Sequence, residues 1–121
     1  MKPRAQSIAK EFERRLREAR RQVWRTVART EAELATLEAH QPGAAIEDAG
    51  TATVTAVLSR LDGAERHLLD EIGAAQARLA TGTFGVCEHC ATPIPLPRLR
   101  AVPTARLCIG CERAAERTAL A

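Results

Sequence analysis

The chain has 121 residues, enough for one domain or for an elongated element joined to a small finger. Its hydrophobic fraction is 45%, but with one Trp, two Phe and no Tyr it excludes a thick globular core and favours helices that meet along a narrow seam. The net charge of +3 is uneven, because residues 1–30 hold ten Lys or Arg against three Glu.

The N-terminus is basic (Met1-Lys2-Pro3-Arg4), but the apolar stretch that a signal peptide needs does not follow it. No run of residues approaches the roughly 18 apolar residues of a membrane span. We therefore expect a cytoplasmic protein without a membrane segment. A reducing cytoplasm also suits cysteines that act as metal ligands.

The first predicted element is a helix over about residues 5–39. Apolar side chains recur in steps of three and four residues, a near-heptad seam typical of a coiled coil, with Thr30 as its one polar member. The seam residues are Ile8, Phe12, Leu16, Ala19, Val23, Val27, Thr30, Leu34 and Leu37. A single helix of about 50 Å is not stable alone in water, so this seam needs a partner.

His40-Gln41-Pro42-Gly43 is predicted to end this helix, because proline disfavours helical geometry in the residue before it. A second helix is predicted from an N-cap at Asp48 or Thr51 to a stop at Thr81-Gly82. Its seam comprises Val54, Leu58, Leu61, Glu65, Leu68, Ile72, Ala75 and Leu79.

Glu65 is the one charged residue of the second seam. In an antiparallel hairpin folded about residues 45–46, it would face the neighbourhood of Arg25 and Thr26. We predict a partly buried pair there that fixes the register of the two helices.

The two seams match in length and the break lies midway between them. This predicts a mainly α fold, in which a long antiparallel coiled-coil hairpin precedes a small four-cysteine zinc finger and a short C-terminal helix over about residues 111–120. We assign residues 1–80 to the hairpin domain, with its tip at about 40–50, and residues 81–121 to the finger domain. A straight dimeric coiled coil is the alternative, which Pro42-Gly43 disfavours.

The cysteines of the chain all fall in two Cys-x-x-Cys pairs with seventeen residues between them: Cys87, Cys90, Cys108 and Cys111. This spacing is typical of a tetrahedral zinc site closed by four thiolates, with no open catalytic position. Four prolines punctuate the finger, so long strands are not expected and Zn²⁺ would supply much of the folding energy. The arginines expected to compensate the negative charge of the metal centre are Arg98, Arg100, Arg106 and Arg113.

Two disulfides are the alternative for the four cysteines, but nothing in the sequence indicates an oxidising compartment. A thioredoxin-like redox pair would need a βαβ pattern, which is missing around both pairs. His89 lies between Cys87 and Cys90 and could replace a ligand; with four cysteines available, we expect it to face solvent. Gly110 lies inside the second pair, where a residue without Cβ can adopt a positive φ.

The finger resembles that of the DksA/TraR family of bacterial transcription regulators. The residues that carry the resemblance are Phe84-Gly85-Val86-Cys87-Glu88-His89-Cys90, Ile94, Arg98-Leu99, Ala101, Pro103-Thr104-Ala105, Leu107-Cys108 and Cys111. The hairpin matches the family in length and placement, more weakly before residue 47. Ala91 stands where the family usually has a glycine.

The resemblance implies a monomeric, non-enzymatic regulator that binds RNA polymerase in its secondary channel, with the tip of the coiled coil reaching toward the active site. The family's best-known tip motif, Asp-x-x-Asp-x-Ala, falls on residues 44–49 in an ungapped count back from the finger. Its predicted partner-binding residues here are Glu47, Asp48 and Ala49, although Ala44 replaces the first Asp. Asp48 suits the N-cap of the second helix equally well.

The basic residues with which the best-studied members of the family bind guanosine tetraphosphate correspond, on the same count, to Ala64, Glu71, Val102 and Glu112. None of these residues is basic. The resemblance therefore predicts polymerase binding without a full response to that nucleotide.

Two other classes of function stay open. The basic first helix could bind nucleic acid through phosphates, although the scarcity of aromatic residues argues against base-specific recognition. The apolar seam could instead join another helical protein, as in a structural adaptor. An enzyme is disfavoured, because no histidine is spaced to suggest catalysis and the His-x-Glu element of zinc deaminases is missing.

Overall fold

The computed structural model describes the backbone of residues 3–39 and 49–120. Within these ranges the chain forms six helices and no strand: α1 Pro3–Val27, α2 Glu31–Ala39, α3 Ala49–Leu58, α4 Gly63–Thr81, α5 Leu96–Ala101 and α6 Ile109–Leu120. One isolated β-bridge joins Val86 and Pro93. The predicted mainly α fold is confirmed. None of the helices in the described ranges is long and apolar enough to cross a bilayer.

The first predicted helix, over about residues 5–39, is wrong in its continuity, because it is divided into α1 and α2. Thr30 caps α2: its Oγ1 accepts a hydrogen bond from the Glu33 amide at 3.0 Å. The Glu33 carboxylate in turn accepts one from the Arg29 amide at 2.9 Å. The run Thr30-Glu31-Ala32-Glu33 has the residue types of a capping box, which satisfies the free amides at a helix start.

The second predicted helix is also divided, into α3 and α4. Asp62 and Glu65 form a reciprocal capping box: the Glu65 amide donates to Asp62 Oδ1 at 2.7 Å, and the Asp62 amide donates to Glu65 Oε1 at 3.1 Å. Glu65 therefore belongs to the first turn of α4. The predicted helix end at 40–43 and the predicted fold of the hairpin at 45–46 lie outside the described residues, whereas the predicted stop at Thr81 coincides with the end of α4.

The chain divides into two compact units. The hairpin unit is Arg17–Asp70, and the finger unit comprises Met1–Leu16 and Glu71–Ala121. The units group residues that contact one another; the domain limits of 1–80 and 81–121 stay a prediction.

In the hairpin unit, α2 packs against α3 of the same chain, as an antiparallel hairpin requires. Its buried side chains are Val23, Trp24, Leu34, Leu37, Val54, Val57 and Leu61. The hydroxyl of Thr26 donates to Glu65 Oε2 at 2.9 Å. This contact confirms the predicted neighbourhood of Glu65, although the hydrogen bond is exposed rather than partly buried.

Arg60 lies between α3 and α4, and its side chain contacts residues on both sides of the break between α1 and α2. Its Nη1 donates to the Val27 carbonyl at 3.0 Å, at the end of α1, and to Glu33 Oε1 at 2.9 Å. Its Nη2 donates to Glu33 Oε2 at 2.9 Å, which completes a two-point ion pair. Hydrogen bonds from Arg60, and next from the Arg29 amide, lower the pKa of Glu33 to about 2. The pair therefore stays ionised at neutral pH.

The core of the finger unit gathers side chains from both parts of its sequence. The fully or nearly fully buried members are Phe12, Cys87, Ile94, Leu99 and Ala105. The rings of Phe12 and Phe84 lie 5.0 Å apart between centroids and are inclined by 44°. The start of α1 and the finger thus share one small hydrophobic cluster, which includes Cys87.

Candidate metal centre

The first cysteine pair lies on a tight turn that follows Gly85. The φ of Gly85 is +81°, in the left-handed region that favours glycine, and an added Cβ would lie 3.3 Å from the Leu99 side chain. The Gly85 carbonyl accepts a hydrogen bond from the Ile94 amide at 2.7 Å, and the Cys87 amide donates to the Thr92 carbonyl at 2.9 Å. These two bonds close the turn and aim its cysteines to one side.

Ala91 closes this turn in a conformation that alanine rarely adopts. Its φ is +63°, and its amide donates to the Cys87 carbonyl at 3.0 Å. A side chain in the left-handed region costs about 1–2 kcal/mol, which explains why a glycine suits the position. The alanine still allows the turn, but its positive φ makes the turn less stable than a glycine would.

We expect Ala91→Gly to raise the free energy of unfolding of the metal-loaded protein by about 1 kcal/mol or less, because the greater freedom of glycine in the unfolded chain offsets part of the relief. Denaturant unfolding measures the change. Ala114→Gly, in the exposed middle of α6, is the matched control, and it should lower stability by about 0.5–1 kcal/mol. Destabilisation by both substitutions would contradict the strain at Ala91.

The second cysteine pair is held by the start of α6. Cys108 immediately precedes the helix, and its carbonyl accepts a hydrogen bond from the Glu112 amide at 2.9 Å. Cys111 lies in the first turn. Gly110 also lies within α6, so the expectation of a positive φ there is wrong; among the glycines that the structure describes, Gly82 and Gly85 have a positive φ. The N-terminal end of a helix carries partial positive charge, which favours thiolates beside it.

The structure brings the four cysteines together. Their sulfur atoms all lie within 4.8 Å of one another, and the Sγ atoms of Cys90 and Cys108 are 3.8 Å apart. Four sulfurs at about 2.3 Å from a shared zinc ion would lie about 3.8 Å from each other. All four cysteines are free thiols, so the structure does not support the alternative of two disulfides. His89 is exposed and does not belong to the cluster.

The thiols of this cluster differ in acidity because each has different neighbours. Hydrogen bonds, the largest from the Cys90 amide, lower the pKa of Cys87 to about 6. The hydroxyl of Thr92 likewise lowers the pKa of Cys90. Hydrogen bonding to Cys108, followed by burial, raises the pKa of Cys111 to about 12. Four thiolates cannot share so small a volume without a cation, and a set of four sulfur ligands suits a zinc ion.

A family profile described as the prokaryotic dksA/traR C4-type zinc finger matches residues 82–117, which include all four cysteines. An RNA polymerase-binding transcription factor DksA from Haemophilus influenzae is 46% identical over 52 residues, which cover 43% of this chain and 36% of the relative. Residues 82–117 are therefore a zinc finger of the DksA/TraR type.

Two further comparisons cover more of the chain. An uncharacterised protein from Aquifex aeolicus is 42% identical over 72 residues, 59% of this chain and 50% of the relative. The structure of transcription factor DksA2 from Pseudomonas aeruginosa aligns with a TM-score of 0.60 at 28% identity, over 93% of this chain and 86% of that one. In these sequence comparisons, the chain spans half or less of the length of the curated relatives it matches.

The tip residues that the DksA/TraR resemblance indicates fall at the edge of the described structure. Glu47 and Asp48 lie outside it, and Ala49 is the first residue of α3. Their role in binding a partner stays a prediction.

Three of the four residues that the ungapped count assigns to the family's nucleotide-binding positions line one cleft of the finger unit, with a volume of about 520 Å³: Glu71, Val102 and Glu112. Glu88 and Glu116 add two more carboxylates to the cleft, and Arg98 and Arg106 supply its cations. The Nε of Arg98 already donates to the Leu107 carbonyl at 3.1 Å. Carboxylates repel a polyphosphate. The reduced response to guanosine tetraphosphate stays a prediction.

Proposed function

We propose that this protein is a zinc-containing transcription regulator that binds RNA polymerase. The observation that carries the proposal is the four-sulfur cluster, set in a finger that matches the DksA/TraR profile over residues 82–117. The relative from Haemophilus influenzae is named as an RNA polymerase-binding transcription factor, which supports the same partner here. The proposed cofactor is Zn²⁺, held by Cys87, Cys90, Cys108 and Cys111, and its role is structural because the four thiolates leave no open position.

We further propose that the protein acts as a cytoplasmic monomer, whose hairpin enters the secondary channel of the polymerase and presents Glu47, Asp48 and Ala49 near the active site. The packing of α2 against α3 supports this mode, because these two helices cover their apolar side chains within one chain, as a monomeric hairpin requires. The protein itself supplies no catalytic group in this proposal.

The test is a competition assay on core RNA polymerase with another factor that enters the channel, followed by transcription assays with a tip variant. The variant Glu47→Gln, Asp48→Asn, Ala49→Thr removes the two charges, and asparagine keeps the ability to cap a helix. We expect it to bind polymerase as the wild type does and to lose about 10-fold or more of its effect on transcription, because an interaction of the tip with the polymerase active-site region is worth at least about 1.4 kcal/mol.

The control variant Glu13→Gln, Asp70→Asn removes the same charge at two exposed positions and should behave as the wild type. If the tip variant keeps full activity in transcription, the assignment of the tip is wrong. If the wild type never competes with the channel-entering factor, channel binding itself is wrong. Tight binding to duplex DNA alone, with a steep dependence on salt, would favour a nucleic-acid-binding protein instead.

A further inference from the structure

Arg106 forms the centre of an ion-pair network beside the metal centre. Its Nε donates to Glu71 Oε2 at 2.8 Å, and its Nη2 donates to Glu71 Oε1 at 2.9 Å, so the guanidinium grips this carboxylate at two points. Its remaining terminal nitrogen, Nη1, donates to Glu88 Oε1 at 3.2 Å. One side chain thus binds two carboxylates on different segments, since Glu71 lies on α4 and Glu88 lies inside the first cysteine pair.

A backbone hydrogen bond also joins Arg106 and Glu88. The Glu88 amide donates to the Arg106 carbonyl at 2.9 Å. Glu88 directly follows Cys87, and Arg106 precedes Cys108 by two residues. Arg106 is therefore tied to the first cysteine pair through both backbone and side chain, while its own segment carries the second pair.

Arg78 is a second cation near Glu88 in the same ion-pair network. Its side chain, on α4, is only 12% exposed, and its Nη1 lies 3.9 Å from Glu88 Oε1. Its buried Nη2 has no hydrogen-bond acceptor among the described residues. Glu88 thus lies beside two cations, Arg78 and Arg106. A buried cation that loses its counter-ion is strongly unfavourable, so Arg78 also favours the observed position of Glu88.

From these contacts we propose that Arg106 is a positioning residue for the metal centre: it locks the two cysteine pairs together and fixes both to α4. The inference rests on the zinc site proposed above. Without the guanidinium, the carboxylates of Glu71 and Glu88 would each lose their hydrogen bonds from Arg106 beside a centre of four thiolates, and the second pair would lose its side-chain tether. Partners outside the ligand set hold ligands in place, and their loss typically weakens metal binding by about 10- to 100-fold.

Release of zinc to an excess of a chelating dye tests the proposal on the zinc-loaded chain of 121 residues. We expect Arg106→Gln to release zinc about 10- to 100-fold faster than the wild type. Arg100→Gln is the matched control. Arg100 makes a similar two-point pair in the same unit, with Glu11 at 3.0 and 3.2 Å, but Glu11 lies on α1 and touches neither cysteine pair through this contact. Its release rate should equal that of the wild type.

A double-mutant comparison separates positioning from general destabilisation. Glu88→Gln should also accelerate release, and the variant with both Glu88→Gln and Arg106→Gln should be less affected than the sum of the two, because both changes remove one shared link. Arg106→Lys keeps the charge without the two-point grip and should fall between wild type and Arg106→Gln. Circular dichroism of each variant before release verifies that its helices are intact.

The outcomes distinguish this inference from the proposed zinc site. A wild type that contains no zinc by elemental analysis would overturn the metal centre. A wild type with one zinc per chain, together with equal release rates for Arg106→Gln and Arg100→Gln, would overturn the role of Arg106 alone. Fully additive effects of Glu88→Gln and Arg106→Gln would show that the two residues do not act through one link.

Discussion

Replacement of Cys108 by serine is expected to abolish stable zinc binding and to unfold the finger between residues 84 and 111. Serine has nearly the shape of cysteine, but its hydroxyl stays protonated at neutral pH and does not replace a thiolate ligand. Apart from the metal and the ion pairs of Arg106, this segment is held by one short helix, one isolated β-bridge and a small hydrophobic cluster. Structural zinc in such fingers contributes an apparent binding free energy of about 10–16 kcal/mol, so its loss outweighs the rest.

Zinc content and backbone amide exchange measure this effect. Amides that close the first turn, such as those of Cys87 and Ile94, should exchange slowly in the wild type and rapidly in Cys108→Ser. Excess chelator added to the wild type serves as the control and should give the same exchange pattern. Acidification should act in the same direction, since protons compete with the metal for the thiolates. A serine variant that kept one zinc per chain and slow exchange would show that Cys108 is not a ligand.

Phe12→Ala is expected to lower the free energy of unfolding by about 3–5 kcal/mol, the usual cost of removing a fully buried ring. Phe12 is 0% exposed and packs against Phe84 and the buried core that includes Cys87. Since small domains have a total stability of about 5–15 kcal/mol, the variant should be close to unfolding at room temperature.

Denaturant unfolding of the zinc-loaded protein, followed by circular dichroism, measures this loss. Leu68→Ala is the control, because Leu68 is 44% exposed and its truncation should change stability by about 0.5 kcal/mol or less. Equal effects of the two substitutions would mean that α1 does not contribute a core residue to the finger unit. A large loss for Phe12→Ala alone would establish that the start of the chain stabilises a finger more than seventy residues away in sequence.

The sequence pattern correctly predicted that Glu65 and Thr26 are neighbours. In an antiparallel hairpin, two facing residues lie at about equal distances along the chain from the bend, so the position of the bend predicts which residues pair. The sequence pattern failed at the two helix breaks. Both breaks carry a signal that was available, in Thr30-Glu31-Ala32-Glu33 and Asp62-Gly63-Ala64-Glu65. The apolar seam continues through each of these signals and predicts an unbroken helix there. The short helix α5 was missed because prolines obscure it, although a proline suits the first turn of a helix.

The sequence by itself determined the candidate metal centre and the class of fold. A Cys-x-x-Cys pair needs only local geometry to aim two sulfurs at one point, and a repeated apolar seam needs only helical periodicity. Only the tertiary structure decided that the helices break at these two capping signals and which cations have partners. The apolar seam has the same pattern whether the helix stops at a cap or continues past it. The break is favoured by contacts across the hairpin, such as those of Arg60 with Glu33 and Val27. In the same way, the grip of Arg106 on Glu71 and Glu88 joins residues 35 and 18 positions apart, a closeness that no local pattern encodes.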